Sequence, residues 1–226
     1  MQVFIAGTGK LATELLDTLT PNGGYVVSPW PAEAGAEGPA IVVHAGSGRE
    51  IDAIAAFCQR SASVLVELAT GSTLEAAGAP AGFPIVLCPN TNILMLKFMC
   101  MLERSGPLFA GSQIRVTESH QASKTSVPGT AVAMAQSLGV APSAIVSVRD
   151  RSQQQQNLGI PPAHLGRHAF HRIEIQDGPC AIAMETRVYG DSPYASGVDQ
   201  IIRAIQQREL EKRLYSINEF IENGWV

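Results

Sequence analysis

The residues Ala6-Gly7-Thr8-Gly9-Lys10-Leu11-Ala12 lie between a short apolar run, Gln2–Ala6, and a helical pattern that places Leu11, Leu15, Leu16 and Leu19 on one face. A strand that turns on glycine straight into an amphipathic helix leaves few options. The helix must lay its apolar face on a sheet, and the chain then returns as a parallel strand. The pattern recurs. Residues 25–28, 41–44, 64–68 and 85–88 are short apolar runs, and residues 49–60 form a helical segment with Ile51, Ile54, Ala55 and Cys58 on one side. This alternation predicts a parallel sheet covered on both faces. Residues 29–39, rich in Pro, Gly and Ala, read as a loop.

The glycine turn itself reads G-x-G-x-x-A, in the setting where a dinucleotide pyrophosphate meets a helix N-terminus. Gly7 permits the tight turn, Gly9 lets the backbone approach phosphates, and Ala12 lets the helix pack on the sheet. Thr8, Lys10 and Leu11 complete the candidate cofactor turn. The end of the second strand offers Ser28 and Trp30 where an acidic residue usually holds the ribose hydroxyls, so NADH and NADPH both remain open.

After Pro89-Asn90 the character changes. Residues 93–103 form a strongly apolar helix, Gln113–His120 alternates like a strand, residues 128–138 form a small-residue helix, and residues 144–148 are strand-like. Residues 149–167 look irregular, and their glutamine run, residues 153–156, reads as a solvated loop. Residues 168–176 and 181–189 alternate on either side of Asp177-Gly178-Pro179, a hairpin signal. Residues 195–223 are helical with a break near 207–210. The expected architecture is therefore α/β, followed by antiparallel strands with one or two helices, and a closing helical segment.

Composition excludes several classes. With 16 Lys+Arg against 20 Asp+Glu the net charge is −4, so no basic field invites nucleic acid. An apolar share of 46% excludes a disordered chain, and no apolar run suits a membrane span. The N-terminus lacks a basic n-region and a cleavage-type apolar stretch, so it does not read as a signal peptide, and free thiols suit a cytoplasmic protein. Cys58, Cys88, Cys100 and Cys180 show no C-x-x-C spacing and read as buried free thiols, with no metal site expected. His168 and His171 have opposite parity on a strand, so with His164 they read as surface or interface histidines. His44 ends the third strand at the edge facing the nucleotide crevice. Glu67, inside an apolar run, would need a partner if buried.

The most informative segment is Glu118-Ser119-His120-Gln121-Ala122-Ser123-Lys124-Thr125-Ser126-Val127-Pro128-Gly129-Thr130-Ala131. Its histidine ends a strand, its lysine lies in the following loop, and Pro128-Gly129-Thr130 starts a helix whose free N–H groups favour an anion. A lysine beside such a terminus suits a carboxylate, and a nearby histidine can supply or relay a proton.

This segment resembles the signature of the 4-hydroxy-tetrahydrodipicolinate reductase (dihydrodipicolinate reductase) family, E-x-H-H-x-x-K-x-D-x-P-S-G-T-A. Residues 5–12 resemble that family's cofactor turn, and residues 43–46 its Asp-Phe-Thr-type strand end. Leu68-Ala69-Thr70-Gly71 is similar to its G-T-T-G loop, Pro89-Asn90-Thr91-Asn92 to its hinge, and Tyr194-Ala195-Ser196-Gly197-Val198 to its late F-A-x-G-A. The resemblance implies a Rossmann-like domain over residues 1–90 and 194–226. It also implies a smaller α+β domain with a mixed sheet over 91–193, for substrate binding and assembly into a homotetramer. It implies hydride transfer from NADPH or NADH to a cyclic imine-type dicarboxylate in lysine and diaminopimelate synthesis. By position, His120 and Lys124 are its catalytic pair, with Gln121, Lys124, Gly129 and Thr130 as substrate contacts. Gly7, Thr8, Gly9, Lys10, Leu11, Ala45, Gly46, Thr70, Gly71 and Asn90 are its cofactor contacts. The chain departs from the signature at Gln121 (the second histidine), at Ser126 (the aspartate), and in lacking the serine between Pro128 and Gly129. These changes leave two further readings: a reductase of another imine or keto acid, and a catalytically silent nucleotide-binding paralogue.

Overall fold

A computed structural model describes residues 1–19, 24–30, 38–76, 82–190 and 194–226. The chain forms two compact units, Met1–Leu96 with Tyr194–Val226, and Lys97–Pro193.

In the first unit, β1 (Gln2–Ala6) leads through the glycine turn into α1 (Lys10–Thr18). There follow β2 (Val26–Pro29), β3 (Ala40–His44), α2 (Ile51–Ser61), β4 (Val64–Glu67), α3 (Thr73–Ala76), β5 (Ile85–Leu87) and the start of α4 (Ile93–Ser105). Among the described residues, six strands pair in the order β10-β5-β4-β3-β1-β2, all parallel, β10 being Leu214–Ser216. The β3 strand is buried along its whole length, as a parallel strand covered on both faces must be. Phe4, Ala6, Val42 and Leu65 pack with Ile54 and Cys58 of α2, and Trp30 and Phe57 close the edge of that cluster. The loop expected over residues 29–39 falls largely outside the described residues.

The C-terminal segment returns to this unit as α7 (Ala195–Gln206), which buries Val198, Ile201, Ile202 and Ile205 and packs against α1. Gly197 is required there: a Cβ would stand 1.6 Å from the Thr91 carbonyl oxygen. Tyr25 donates its hydroxyl to Asp199 at 2.6 Å, tying α7 to the start of β2. The region expected as one bent helix instead breaks into α7, β10 and α8 (Ile217–Glu222). β10 is only three residues long, and its pairing with β5 is what makes it a strand.

The second unit holds β6 (Gln113–His120), α5 (Gly129–Ser137), β7 (Val146–Val148), α6 (Arg151–Gln156), β8 (His168–Asp177) and β9 (Cys180–Tyr189). Its sheet runs β7-β6-β8-β9 and is mixed, because β7 joins β6 in parallel while β8 and β9 are antiparallel. The β8–β9 hairpin turns on Gly178, at φ +55°. Residues 149–167 are more regular than expected: the glutamine run is the body of α6, capped by Asp150 Oδ1 accepting the Gln153 amide at 2.9 Å.

Candidate active site

In the first unit, the carboxyl ends of β1, β3 and β4 carry three adjacent turns. Gly7 sits at φ +127°, and a Cβ on it would stand 2.5 Å from the Ala45 carbonyl oxygen, so the turn is built for glycine twice over. Gly9, the residue before α1, has open space where a Cβ would be. No side chain caps α1, so its first N–H groups are free to meet an anion. Thr8, Gly9 and Lys10 are exposed and Leu11 is half-buried; Ala45 and Gly46 are half-buried in the adjacent turn, and Thr70 and Gly71 are exposed after β4. Asn90, half-buried beyond β5, accepts the Asn92 amide on its side-chain oxygen at 3.0 Å. These residues fit a dinucleotide: an uncapped helix start, a glycine with nothing above it, and small residues on the facing turn.

Glu67 is fully buried and has the partner its burial demands. His44 Nδ1 lies 2.8 and 2.9 Å from its two carboxyl oxygens, and the Ala69 amide donates to Oε1 at 2.8 Å.

In the second unit, β6 delivers Glu118, Ser119 and His120 on alternating faces. Glu118 is completely buried. His120 Nδ1 donates to its Oε2 at 2.8 Å, and Arg149 donates to its Oε1 at 2.6 Å. Burial alone would push this carboxyl up. Hydrogen bonds from His120, Arg149 and Ser147, together with the Arg149 charge, outweigh it and hold Glu118 down at about 2. Glu118 is therefore a fixed anion that takes Nδ1 of His120 and leaves Nε2 as the ring nitrogen it does not hold.

Arg149 serves more than Glu118. Its Nε donates to the Lys124 carbonyl at 2.9 Å and its Nη1 to the Val148 carbonyl at 3.2 Å. One guanidinium thus ties the His120 strand end to the loop that carries Lys124. Lys124 is half-buried, Gln121 half-buried and Gly129 exposed; Thr130 lies half-buried in the first turn of α5. Pro128 precedes α5, which has no side-chain cap, so the N–H groups of Gly129 and Thr130 are open to an anion.

Arg149 and Gln154 lie in the segment whose sequence looks irregular, and nothing local in it marks either as part of a site. Gln154 is fully buried, and its side-chain nitrogen reaches Ser119 Oγ at 3.0 Å and the His120 carbonyl at 2.8 Å. The Asp150 cap signal ahead of the glutamine run was the clue to a helix.

The surface reading of the histidines is also corrected. His168 and His171 are buried; only His164 is partly exposed. Strand pairing sets His171 opposite Glu118 and Phe170 opposite Ser119, so His168 and His171 do face opposite sides. His168 Nε2 lies 3.0 Å from Ser119 Oγ, and the His171 ring packs edge-on to His120 at 5.8 Å. Burial lowers His168, and burial with the nearby His120 lowers His171 to about 4, so His171 is a neutral wall beside His120. All four cysteines are free; Cys58, Cys88 and Cys100 are buried, but Cys180 is exposed at the hairpin. Burial pushes the Cys58 and Cys88 thiols up to about 12, which makes both inert.

No family model matches the chain. Over 153 residues, 62% of the chain, it is 34% identical to 4-hydroxy-tetrahydrodipicolinate reductase 2, chloroplastic, of Arabidopsis thaliana. The chain is a relative of the 4-hydroxy-tetrahydrodipicolinate reductases.

A probable 4-hydroxy-tetrahydrodipicolinate reductase 2, chloroplastic, of Oryza sativa subsp. japonica is 33% identical over 135 residues, 55% of the chain. These matches span 44% and 41% of the plant proteins, so the chain matches less than half the length of these curated relatives. The fold agrees over nearly the whole chain with a dipicolinate-bound dihydrodipicolinate reductase from Paenisporosarcina sp. TG-14. That match has a TM-score of 0.67 and 18% identity, and covers 96% of this chain and 97% of the other.

Proposed function

We propose that the chain is an NAD(P)H-dependent reductase of a cyclic imine-type dicarboxylate, 4-hydroxy-tetrahydrodipicolinate, in lysine and diaminopimelate synthesis. The first unit would hold the cofactor and the second the substrate. The observation that carries this reading is the Glu118–His120 pair, joined through Arg149 to the Lys124 loop ahead of the uncapped start of α5. The names of the plant relatives and the dipicolinate bound by the structural relative support it.

The Gly7–Gly9 turn, Ala45-Gly46 and the 68–71 loop would hold the nicotinamide cofactor, which when bound would supply a hydride to the imine carbon. Reduction of the C=N bond leaves its electron pair on nitrogen, which must gain a proton. In this reading Lys124 would donate it, and His120, its Nδ1 held by Glu118, would use Nε2 to steady or resupply that proton. The substrate carboxylates meet the Lys124 ammonium and the N–H groups of Gly129 and Thr130. Neutral His171 packs against His120 without competing for the proton.

We further propose a homotetramer formed through the second-unit sheet, whose outer strand β9 is largely exposed. A cytoplasmic setting is supported by four free cysteines. No described helix is long and apolar enough to cross a membrane, and small molecules rather than nucleic acid or membranes are the expected partners.

The test is cofactor oxidation with the condensation product of pyruvate and aspartate semialdehyde, alongside a panel of cyclic imines and α-keto acids. Oxidation of NADPH or NADH with the dicarboxylate imine above all others supports the proposal. A preference for a monocarboxylate favours the second reading, which rests on Gln121 and the one-residue-shorter Pro128-Gly129 turn. Tight nucleotide binding without turnover of any substrate would leave the silent paralogue.

A further inference from the structure

We infer that the buried His44–Glu67 pair is a positioning device that braces the cofactor loops of the first unit and sets nucleotide affinity. This rests on the proposed function for the identity of the nucleotide. The pair joins the last residues of β3 and β4, which lie side by side in register. Both side chains are at most 1% exposed, and neither belongs to the catalytic signature. An ionisable pair this deep costs desolvation free energy unless its hydrogen bonds are complete, and a sheet core has no need of one.

Its bonds reach outward to the loops. Glu67 Oε1 accepts the Ala69 amide at 2.8 Å, which pins the second residue of the 68–71 loop. His44 Nε2 has no hydrogen-bond partner among the described residues, and its ring backs onto Gly46, where a Cβ would stand 2.8 Å from that nitrogen. Ala45 and Gly46 in turn lie close against Gly7, where an added Cβ would stand 2.5 Å from the Ala45 oxygen and 3.0 Å from the Gly46 nitrogen. One buried pair therefore underlies all three turns offered to the dinucleotide. Its loss would let the loops drift, and a displacement of about an ångström weakens the contacts of a preformed site.

The test uses the whole chain with Glu67→Gln and with the double variant His44→Leu/Glu67→Leu. Amide exchange at residue 69, NADPH and NADH titrations, thermal midpoints and the split between kcat and cofactor KM are measured. Glu67→Gln is expected to speed Ala69 exchange and raise cofactor Kd and KM about tenfold, with kcat at saturation nearly unchanged. The double variant, with both polar partners replaced, is expected to recover thermal stability while cofactor binding stays weak. A purely structural role predicts the reverse: a lowered midpoint with unaltered cofactor KM, and recovery of binding in the double variant. That result overturns the inference. If the wild-type chain binds neither nucleotide, the proposed function falls and with it the role in nucleotide affinity, and Ala69 exchange alone decides the brace: faster exchange in Glu67→Gln upholds it, unchanged exchange overturns it.

Discussion

Replacing Glu118 by Gln keeps its shape and removes its charge, so it isolates what the buried anion contributes. The carboxyl is held at about 2 against an ordinary value of 4.5. A shift of that size corresponds to roughly 3 kcal/mol of stability at neutral pH. The Arg149 side chain is 21% exposed, so solvent screens part of the interaction, and about 2 kcal/mol is the expected figure. The sign follows from the direction. A carboxyl depressed in the folded state stabilises above its unfolded value of 4.5, and that stability is lost as pH falls toward 2. Both tryptophans, Trp30 and Trp225, belong to the first unit, so fluorescence would report the wrong part of the molecule. Amide exchange along the β6–β8 ladder is the suitable assay, run on wild type and Glu118→Gln at pH 7 and pH 3. The gap between the two proteins should be about 2 kcal/mol at pH 7 and less than half of that at pH 3. Other carboxyls titrate alike in both proteins and cancel. A gap that does not change with pH would refute the reasoning.

Three further outcomes follow from the geometry. Lys124→Ala should lower kcat/KM by about 100-fold or more, with Lys124→Arg recovering substrate KM better than kcat; steady-state kinetics with the dicarboxylate imine checks this. Gly7→Ala forces a side chain onto φ +127° and into the Ala45 oxygen, so it should cost about 1–3 kcal/mol in a denaturation measurement and weaken nucleotide binding in a titration. Gln154→Ala strips the donor from Ser119 and the His120 carbonyl, and should destabilise the second unit by about 1–3 kcal/mol, read from exchange on β6.

Much of the framework was legible because it is written in local pattern. Gln113–His120 alternates visibly and is the strand β6 over those residues. The hairpin is marked by its Asp-Gly-Pro turn, and the first turn by its glycines. What escaped depends on partners distant in sequence. β10 is three residues recognisable only beside β5. Arg149 looks like any loop arginine until β6 sets Glu118 against it, 31 residues away in the chain. A polar run reads as solvated, yet one of its four glutamines turns inward because α6 lies over the end of β6. Likewise, Glu67 announced a need for a partner, but only the register of β3 and β4 names His44 as that partner.

The central question is whether the second unit takes a dicarboxylate at Lys124. Titration of pyridine-2,6-dicarboxylate into the chain with saturating NADPH, repeated with Lys124→Ala, measures this. Saturable binding to the wild type that weakens about tenfold or more without the lysine is the predicted result. No binding to the wild type, or equal binding to both proteins, would contradict it.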